Sequence, residues 1–368
     1  MIDTGIYIHI PFCFRKCSYC DFYSMPPIPG LINEYVGELK REIILNSQKH
    51  RDKRIDTIYL GGGTPSILDI KDLETILSVI YSNYSCQIKE ATIEVNPCSS
   101  KNIDKYKDIG INRISIGVQS LDDKVLKVLA RSHTPNDALQ ALENASKYFD
   151  NISADFILGV TDSSDINTLF EKPYIVKNIL KHISAYILKI EKGTPLRKKA
   201  QIGEYKPLDD DELAKAYQNA YQAFQENEFY RYEISNFAQK GYECLHNLKY
   251  WNMSPYLGFG VNAHSFVDGK RYHNKKSLNN YLKGEHSGTG KQVYQRTDEF
   301  TETIMLALRT AQGLDIKKLN KNFQIDFLTE YKPKLEKLKD YLIISDGFLR
   351  IKDEFFLVQN SITARILY

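Results

Sequence analysis

The run of sequence that decides the fold is residues 5–20, Gly5-Ile6-Tyr7-Ile8-His9-Ile10-Pro11-Phe12-Cys13-Phe14-Arg15-Lys16-Cys17-Ser18-Tyr19-Cys20. Isoleucines alternate with Tyr7 and His9 in its first part, which predicts a strand over Gly5–Ile10. Pro11 ends that strand, and three cysteines follow within a short loop. A chemically specialised loop is therefore expected at the carboxyl end of the first strand.

Outward from this strand, short β-branched runs alternate with longer amphipathic segments. Further strands are predicted at Ile55–Leu60, Glu90–Val95, Arg113–Val118, Ile152–Leu158 and Ser184–Ile190. Helices are predicted at Leu31–Asn46, Asp69–Asn83, Asn102–Asp108, Asp122–Ala130, Asn136–Phe149, the segment that ends at Leu180, and Asp209–Glu226. Regular alternation implies an α/β fold with a parallel sheet. Six units are too few for a complete barrel, so we expect a partial (β/α)6 TIM-like barrel that is laterally open, with its site at the carboxyl ends of the strands.

The rest of the chain predicts a second, smaller domain. We expect a barrel over residues 1–230, an intermediate segment over 231–290 and a C-terminal domain over 291–368, with the boundary in the glycine-rich run Gly284–Gly290. Thr301–Arg309 is predicted to be helical. Gly347–Val358 is predicted to form two strands about a Lys-Asp-Glu turn, which together with the helix suggests a winged-helix-like domain.

Composition excludes several classes of function. The 368 residues are 42% hydrophobic and 26% charged with a net charge of +3, so no basic excess points to nucleic acid. No apolar run approaches the ~20 residues of a transmembrane helix, and Met1–Gly5 lacks the basic segment of a signal peptide. Clustered cysteines in a chain of this size indicate metal binding in a reducing compartment. A cytoplasmic protein is expected.

The cysteine triplet Cys13, Cys17 and Cys20 predicts an iron–sulfur cluster. Thiolates are the natural ligands of such clusters. Three thiolates on a cube of four irons leave one iron open, and an open iron can hold the amino and carboxylate groups of a small molecule. Zinc is the alternative, but structural zinc requires four ligands, and no fourth Cys or His lies at zinc spacing nearby.

The triplet, preceded by Tyr7-Ile8-His9-Ile10-Pro11-Phe12, resembles the radical S-adenosylmethionine (SAM) proteins of the oxygen-independent coproporphyrinogen oxidase group. Further motifs of that group follow in order over most of the chain: Gly61-Gly62-Gly63-Thr64-Pro65, Ile93-Glu94-Val95-Asn96-Pro97, Gly117-Val118-Gln119-Ser120 and Glu191-Lys192-Gly193-Thr194-Pro195-Leu196. The resemblance implies a [4Fe-4S] cluster on the three cysteines. In this family the cluster reduces SAM and generates a 5′-deoxyadenosyl radical.

The resemblance also implies a set of SAM-binding residues. They are Tyr7, Tyr19, Gly62, Gly63, Thr64, Glu94, Gln119, Arg131 and Asp155. The glycines would let the backbone approach the ligand and offer it amide donors, although three glycines also suit a plain strand-to-helix turn. The carboxylates and Gln119 would accept hydrogen bonds, Arg131 would pair with the SAM carboxylate, and Tyr19 would pack on adenine.

One position separates two branches of this group. The oxidases carry a further cysteine two residues after the third, where this chain has Phe22. Cys20-Asp21-Phe22 resembles instead the HemW-type heme chaperones, which are thought to bind heme and pass it to acceptors such as respiratory proteins without making porphyrin.

A second motif, in the 231–290 segment, agrees with the chaperone branch. It is Cys244-Leu245-His246-Asn247-Leu248-Lys249-Tyr250-Trp251. Imidazole is a common heme ligand, so the resemblance implies that His246 binds heme iron while Tyr250 and Trp251 offer flat apolar surfaces. Cys244 would be a second ligand or simply buried. The histidines His9, His133 and His264 are expected to be structural or to line the site.

These features predict a heme chaperone that carries a SAM-coordinated [4Fe-4S] cluster, with heme and heme-accepting proteins as partners. The alternative is an oxygen-independent coproporphyrinogen III oxidase (dehydrogenase) of porphyrin biosynthesis, and a third candidate is another radical SAM reaction. The sequence leaves enzymatic activity open. Two departures from the family, Val160-Thr161 and Asn262, alter loops near the expected site.

Overall fold

A computed structural model of the chain describes residues 1–161, 165–286, 292–293 and 296–368. Its largest element is a sheet of twelve strands. Six of these alternate with helices and run parallel: β1 (Ile2–Ile10), β2 (Lys53–Gly62), β3 (Ser85–Val95), β4 (Arg113–Gln119), β5 (Ile152–Leu158) and β6 (His182–Ile187). The predicted six-unit parallel core is therefore confirmed, with most strands longer than predicted.

Helices follow these strands, and most of them cover the outer face of the sheet. They are α1 (Leu31–Lys49), α2 (Ile70–Asn83), α3 (Ile103–Tyr106), α4 (Asp123–Val128), α5 (Pro135–Ala145), α6 (Asp165–Phe170), α7 (Pro195–Gln201) and α8 (Asp210–Glu226), with 3-10 turns at Pro65–Ile67 and Pro97–Ser99 and a π-helical turn at Ile175–Ile179. No helix among the described residues is long and apolar enough to cross a membrane.

Strand alternation explains why the centre of this barrel is polar. The outward positions are isoleucines and other apolar residues, such as Ile6, Ile8 and Ile10 of β1, and they are fully buried under the helices. The inward positions are polar, charged or small on each strand, as with Glu94 of β3 and Asp155 of β5. The period-two pattern thus builds an apolar outer layer and a polar inner chamber.

Short strands extend the sheet beyond both ends of the parallel core. The helix α9 (Leu245–Trp251) is accompanied by strands β7 (Tyr230–Glu233), β8 (Asn236–Ala238), β9 (Tyr256–Phe259), β10 (His264–Val267), β11 (Lys270–His273) and β12 (Gln292–Val293), and by α10 (Leu278–Leu282). The order β12-β11-β10-β9-β1-β2-β3-β4-β5-β6-β8-β7 leaves β7 and β12 as the two edges, so the barrel is not closed by strand pairing within the described residues. The strands of the 231–290 segment thus continue the barrel sheet. The boundaries at 230 and 290 stay predictions, and residues 287–290 of the predicted glycine-rich boundary lie outside the described residues.

The helix α9 fills the lower part of the barrel. The Glu90 carboxylate on β3 accepts hydrogen bonds from the Leu245 and His246 amides at 2.8 and 3.1 Å. It thereby provides acceptors for backbone N–H groups of the first helical turn, which have no partner within the helix. Lys249 at the other end forms an ion pair of 2.8 Å with Asp56 of β2, and both side chains are buried. These contacts hold α9 against the inner face of the barrel sheet, on the side opposite the outer helices.

The C-terminal domain consists of helices and a small antiparallel sheet, as expected for a winged-helix-like domain. Its elements are α11 (Arg296–Ala307), β13 (Leu314–Asp315), α12 (Ile316–Phe323), α13 (Phe327–Glu330), α14 (Lys332–Lys337), β14 (Leu342–Ser345), β15 (Phe348–Ile351), a 3-10 segment (Asp353–Val358) and α15 (Gln359–Leu367). They enclose a second hydrophobic core.

The predicted position of the C-terminal hairpin is wrong. Its strands are β14 and β15, and the turn lies at Asp346-Gly347 rather than at Lys-Asp-Glu. Both turn residues have positive φ, 55° for Asp346 and 82° for Gly347, which a two-residue Asp-Gly hairpin turn requires. The expected second strand is instead 3-10 helical, and it buries Phe356.

The C-terminal domain contacts both ends of the open sheet. Arg231 of β7 is buried, hydrogen-bonds Asp353 and lies over the Phe356 ring, with 3.5 Å from Cζ to the ring centroid. At the opposite end, Arg271 of β11 forms an ion pair of 2.8 Å with Glu302 of α11.

Candidate functional site

A cavity of about 510 Å³ lies at the carboxyl ends of the parallel strands. It brings together most residues of the predicted cluster and SAM sites: Cys13, Cys17, Cys20, Tyr19, Gly62, Gly63, Thr64, Glu94, Gln119, Arg131 and Asp155. These residues come from five strands and their loops, so folding rather than sequence proximity assembles them. Tyr7 is the exception, since it does not line the cavity. Its hydroxyl group lies 3.1 Å from Nδ1 of His9, and its ring stacks on Tyr59.

The three predicted cluster ligands are free cysteines that face this cavity. The Cys13 amide donates to the Met25 carbonyl at 2.9 Å, which holds the start of the loop. Burial raises the pKa of the Cys13 thiol and raises that of Cys20 to about 11. The described residues contain no group of three His, Cys, Asp or Glu side chains placed to hold a single metal ion. A four-iron cluster sets a different requirement, because each thiolate binds a different iron, and three thiols at one cavity wall suit it.

Arg131 lies beside this loop. Its Nη1 is 3.3 Å from Cys17 Sγ, and its Nη2 donates to the Gly117 carbonyl at 2.9 Å. Its Nε is buried and has no hydrogen-bond partner among the described residues. A guanidinium next to a cluster ligand is placed to attract an anionic group bound at the cluster.

The Glu94 carboxylate is fixed at the cavity wall. It accepts hydrogen bonds from the Tyr59 hydroxyl at 3.0 Å and from the Gly62 amide at 3.1 Å. Burial, followed by the charge of Asp155, raises the pKa of Glu94 to about 7. The carboxylate therefore changes charge near neutral pH unless a ligand donates further hydrogen bonds to it.

Asp155 is held in a similar way by serine hydroxyl groups. Ser115 donates to its two oxygens at 3.0 and 3.1 Å, and Ser153 lies 3.4 Å from Oδ1. Burial raises the pKa of Asp155, and these hydrogen bonds oppose the increase. The acceptors predicted for ribose or amino groups thus line one chamber.

The glycine run has a structural role beside the predicted one, and its part in SAM binding stays a prediction. The amides expected to face the ligand are already used, since Gly62 donates to Glu94 and Gly63 donates to the Ile10 carbonyl at 2.7 Å. A Cβ atom at Gly62 would lie 2.4 Å from His9 Nδ1, and φ at this residue is 108°. The glycines are required because β2 passes close to the end of β1.

Several lining residues escape prediction from the sequence. They include Tyr59, Arg113, Ser115, Ser184, Tyr186 and Asn247. Arg113 is buried, its Nε has no hydrogen-bond partner, and the described residues give it no ion pair. The alternation Arg113-Ile114-Ser115-Ile116-Gly117 is a signal that could have found it, because a charged residue on the polar face of a barrel strand faces inward.

The predicted heme motif lies beneath the cavity rather than in it. His246 is fully buried, with Nδ1 2.9 Å from the Thr57 hydroxyl and Nε2 2.9 Å from the Tyr250 hydroxyl. Burial lowers the pKa of His246 to about 3. Its ring stacks on Tyr59, and its neighbour Asn247 lines the cavity floor. Heme ligation by His246 stays a prediction, and it requires the ring to give up one of two buried hydrogen bonds.

The remaining motif residues surround this buried ring. Tyr250 packs edge-on against Tyr256 with 4.7 Å between ring centroids, and Trp251 is half-buried. Cys244 is fully buried and its thiol donates a hydrogen bond to Glu90 at 3.2 Å. Of its two predicted roles, second heme ligand or buried residue, this agrees with the buried residue.

Phe22 lies at the cavity mouth. Its side chain lines the cavity and is 59% exposed, so a large aromatic surface faces solvent next to the cluster cysteines. Exposed Arg15, Lys16 and Lys189 lie here together with Asp21 and Glu191, and Lys189 pairs with Glu191 at 2.6 Å, so Arg15 and Lys16 supply the positive charge of this mouth.

Comparison with known proteins agrees with this geometry. Residues 7–169 match the Radical SAM superfamily, and residues 294–359 match the HemN C-terminal domain. The chain is 33% identical over 331 residues to the heme chaperone HemW of Synechocystis sp. (strain ATCC 27184 / PCC 6803 / Kazusa), an alignment that covers 85% of this chain and 80% of the relative. It is 29% identical over 372 residues to the heme chaperone HemW of Lactococcus lactis subsp. lactis (strain IL1403), covering 99% and 97%.

A solved structure shares the fold. Coproporphyrinogen III oxidase (HemN) from Escherichia coli, described as a radical SAM enzyme, superposes with a TM-score of 0.84 at 18% identity and covers 99% of this chain and 90% of that one. The predicted partial barrel with a small C-terminal domain is thereby confirmed.

Proposed function

This chain belongs to the HemW family of radical SAM proteins, and from that membership we propose that it binds heme and transfers it to acceptor proteins. The observation that carries the proposal is the 33% identity to a protein named heme chaperone HemW over 85% of the chain. Acceptors such as respiratory proteins and a location in the cytoplasm are part of the same proposal.

Cys13, Cys17 and Cys20 would hold a [4Fe-4S] cluster. Arg131, Glu94, Gln119 and Asp155, with Tyr19 beside them, would orient SAM against its open iron; their common cavity supports this. When bound, the cluster supplies an electron that can cleave SAM. Arg131 would hold the carboxylate of SAM near Cys17, Glu94 and Asp155 would accept hydrogen bonds from its hydroxyl or amino groups, and the buried walls would exclude bulk water.

Phe22 supports the chaperone function over the oxidase function. The position where the oxidases carry a further cysteine is an exposed aromatic ring at the cavity mouth. A flat apolar side chain can pack on a porphyrin face but cannot bind a metal as the oxidases' cysteine can, and Arg15 and Lys16 nearby can pair with propionates. The fold likeness to the oxidase does not separate the two functions.

The test is a heme titration next to a coproporphyrinogen assay on one anaerobic preparation. Saturable heme uptake, with transfer to an apo-acceptor and no turnover of coproporphyrinogen III in the presence of SAM and a reductant, supports the proposal. Turnover without heme uptake would favour the oxidase. His246→Ala tests the predicted ligand: unchanged heme absorbance removes His246 from the heme site.

A further inference from the structure

A histidine that binds heme iron needs an accessible ring and a nitrogen that no other group occupies. Most of the 8 histidines are committed to internal hydrogen bonds. Both ring nitrogens are bonded in His9, His182 and His246, and one is bonded in His133, His273 and His286. His50 is half-buried next to the start of β2, at the opposite end of the barrel from the cavity. His264 differs from all of these, because it is exposed and no described residue hydrogen-bonds its ring.

We propose that His264 is the protein ligand of heme iron, an inference that rests on the proposed heme-transfer function. His264 begins β10 and is paired directly with His273 of β11. The two rings stack with 5.1 Å between centroids and an angle of 28° between planes. Nδ1 of His273 lies 2.9 Å from the Asn274 carbonyl, which fixes that ring as a platform for His264.

The position of His264 places it on the same end of the barrel as the cluster loop. It follows the carboxyl end of β9, which runs parallel to β1. Burial, with a smaller effect from the charge of His264, lowers the pKa of His9 of β1. Nε2 of His9 lies 3.0 Å from the carbonyl of Tyr23, which follows Cys20 by three residues. Heme on His264 would therefore lie at the same end of the barrel as the cluster loop, outside the cavity that Phe22 lines.

Sequence features of β9 explain how this position arises. A Cβ atom at Gly258 would lie 2.0 Å from the His264 carbonyl oxygen, so only glycine lets the two strands approach this closely. Asn262 in the connecting turn has a φ of 59°, a conformation that asparagine tolerates better than most residues. The turn thus returns the chain sharply and leaves His264 at the end of the sheet.

The surroundings of His264 favour the neutral ring that binds iron. Partial burial, followed by the charges of His273 and Arg271, lowers its pKa. Heme iron held by one imidazole would remain able to accept a further ligand from an acceptor protein. Transfer then needs no electron: a bond forms between iron and a ligand of the acceptor, and the bond between iron and His264 breaks.

The experiment is a titration with ferric heme, followed by absorbance and electron paramagnetic resonance. His264→Ala is expected to weaken heme binding by at least tenfold and to remove the signature of imidazole-bound iron, and free imidazole should restore that signature. His273→Ala should have a smaller effect, and His50→Ala serves as the matched control. Thermal unfolding and iron content should not change in His264→Ala, because its side chain makes no hydrogen bond with the described residues.

The outcomes separate this inference from the function on which it rests. If the wild-type protein takes up no heme, the proposed function fails. If the wild type binds heme and His264→Ala binds it with the same affinity and spectrum, the inference alone is overturned. Loss of the imidazole signature in His246→Ala with its retention in His264→Ala would return the ligand to the buried motif.

Discussion

The guanidinium of Arg131 contacts the sulfur of Cys17, with 3.3 Å between Nη1 and Sγ. The two residues lie far apart in sequence, and the contact ties the cluster loop to the segment that follows α4. Nη2 of the same side chain reaches the Gly117 carbonyl near the end of β4. Arg131 thus joins the loop that would hold the cluster to the strand that carries Gln119.

Replacing Cys13, Cys17 and Cys20 together with alanine should abolish the iron–sulfur cluster, because no other cysteine lines the cavity in the described residues. Iron and acid-labile sulfide measured after anaerobic reconstitution check this. Cys86→Ala and Cys98→Ala, which remove thiols outside the cavity, should leave both contents unchanged. Full iron in the triple variant would contradict the assignment.

Arg131→Met should weaken SAM binding without loss of iron. A charge-assisted hydrogen bond contributes roughly 1.5–3 kcal/mol, so the dissociation constant should rise about 10- to 100-fold. Equilibrium binding of SAM to the reconstituted protein measures the effect. The exposed Arg365→Met in the C-terminal domain is the control, and equal affinities in the two variants would exclude a role for Arg131.

Glu94 should make stability depend on pH in the absence of ligands. Its pKa is about 7 in the folded protein and 4.5 in the ordinary case, so the folded state holds its proton more tightly. This contribution is fully present below about pH 4.5 and is lost as pH rises through 7. Glutamine cannot titrate, so the Glu94→Gln variant does not lose stability in this way. The free energy of unfolding of the variant minus that of the wild type should therefore rise by up to roughly 3 kcal/mol as the pH increases from about 4.5 to above 7.

Chemical denaturation at a series of pH values measures this difference. Glu233, whose pKa burial also raises to about 7, is present in both proteins, so its contribution cancels. A difference that stays constant with pH would show that Glu94 titrates normally.

His246→Ala should destabilise the fold even when no heme is present. The ring is fully buried and loses contacts to Thr57, Tyr250 and Tyr59, so we expect a cost of about 2–4 kcal/mol. Urea denaturation of the heme-free protein measures this cost. His264→Ala, which removes an exposed ring, should change stability by less than about 0.5 kcal/mol. Equal stability of His246→Ala and wild type would contradict the buried network.

Much of the fold could be predicted because the signal is local. Alternating isoleucines in β1 and β4 mark strands, and the amphipathic segments between them mark the helices that cover the sheet. The predicted position of the hairpin is wrong for a local reason too, since Asp346-Gly347 specifies the turn and the Lys-Asp-Glu triplet does not. Asp165–Phe170 and Ile175–Ile179 confirm only in part the helix predicted before Leu180.

The candidate site could be predicted only where residue type alone identifies the chemistry. Cys13, Cys17 and Cys20 do so, and they line the cavity. The burial of His246 could not be predicted. It depends on contacts with Glu90 and Thr57, which are distant in sequence and lie next to α9 only once the sheet has formed. The hydrogen bond of the Gly62 amide to Glu94 could not be predicted for the same reason, because Glu94 lies on another strand.

The twin contacts of the C-terminal domain have a mechanical consequence. Arg231 joins it to the β7 edge, and Arg271 joins it to β11, the neighbour of the β12 edge. One domain therefore contacts both sides of a sheet whose edges do not pair with each other in the described residues. Opening the barrel further would separate the buried guanidinium of Arg231 from the carboxylate of Asp353, which costs free energy. The C-terminal domain thus links the two sides of the open sheet through these two arginines.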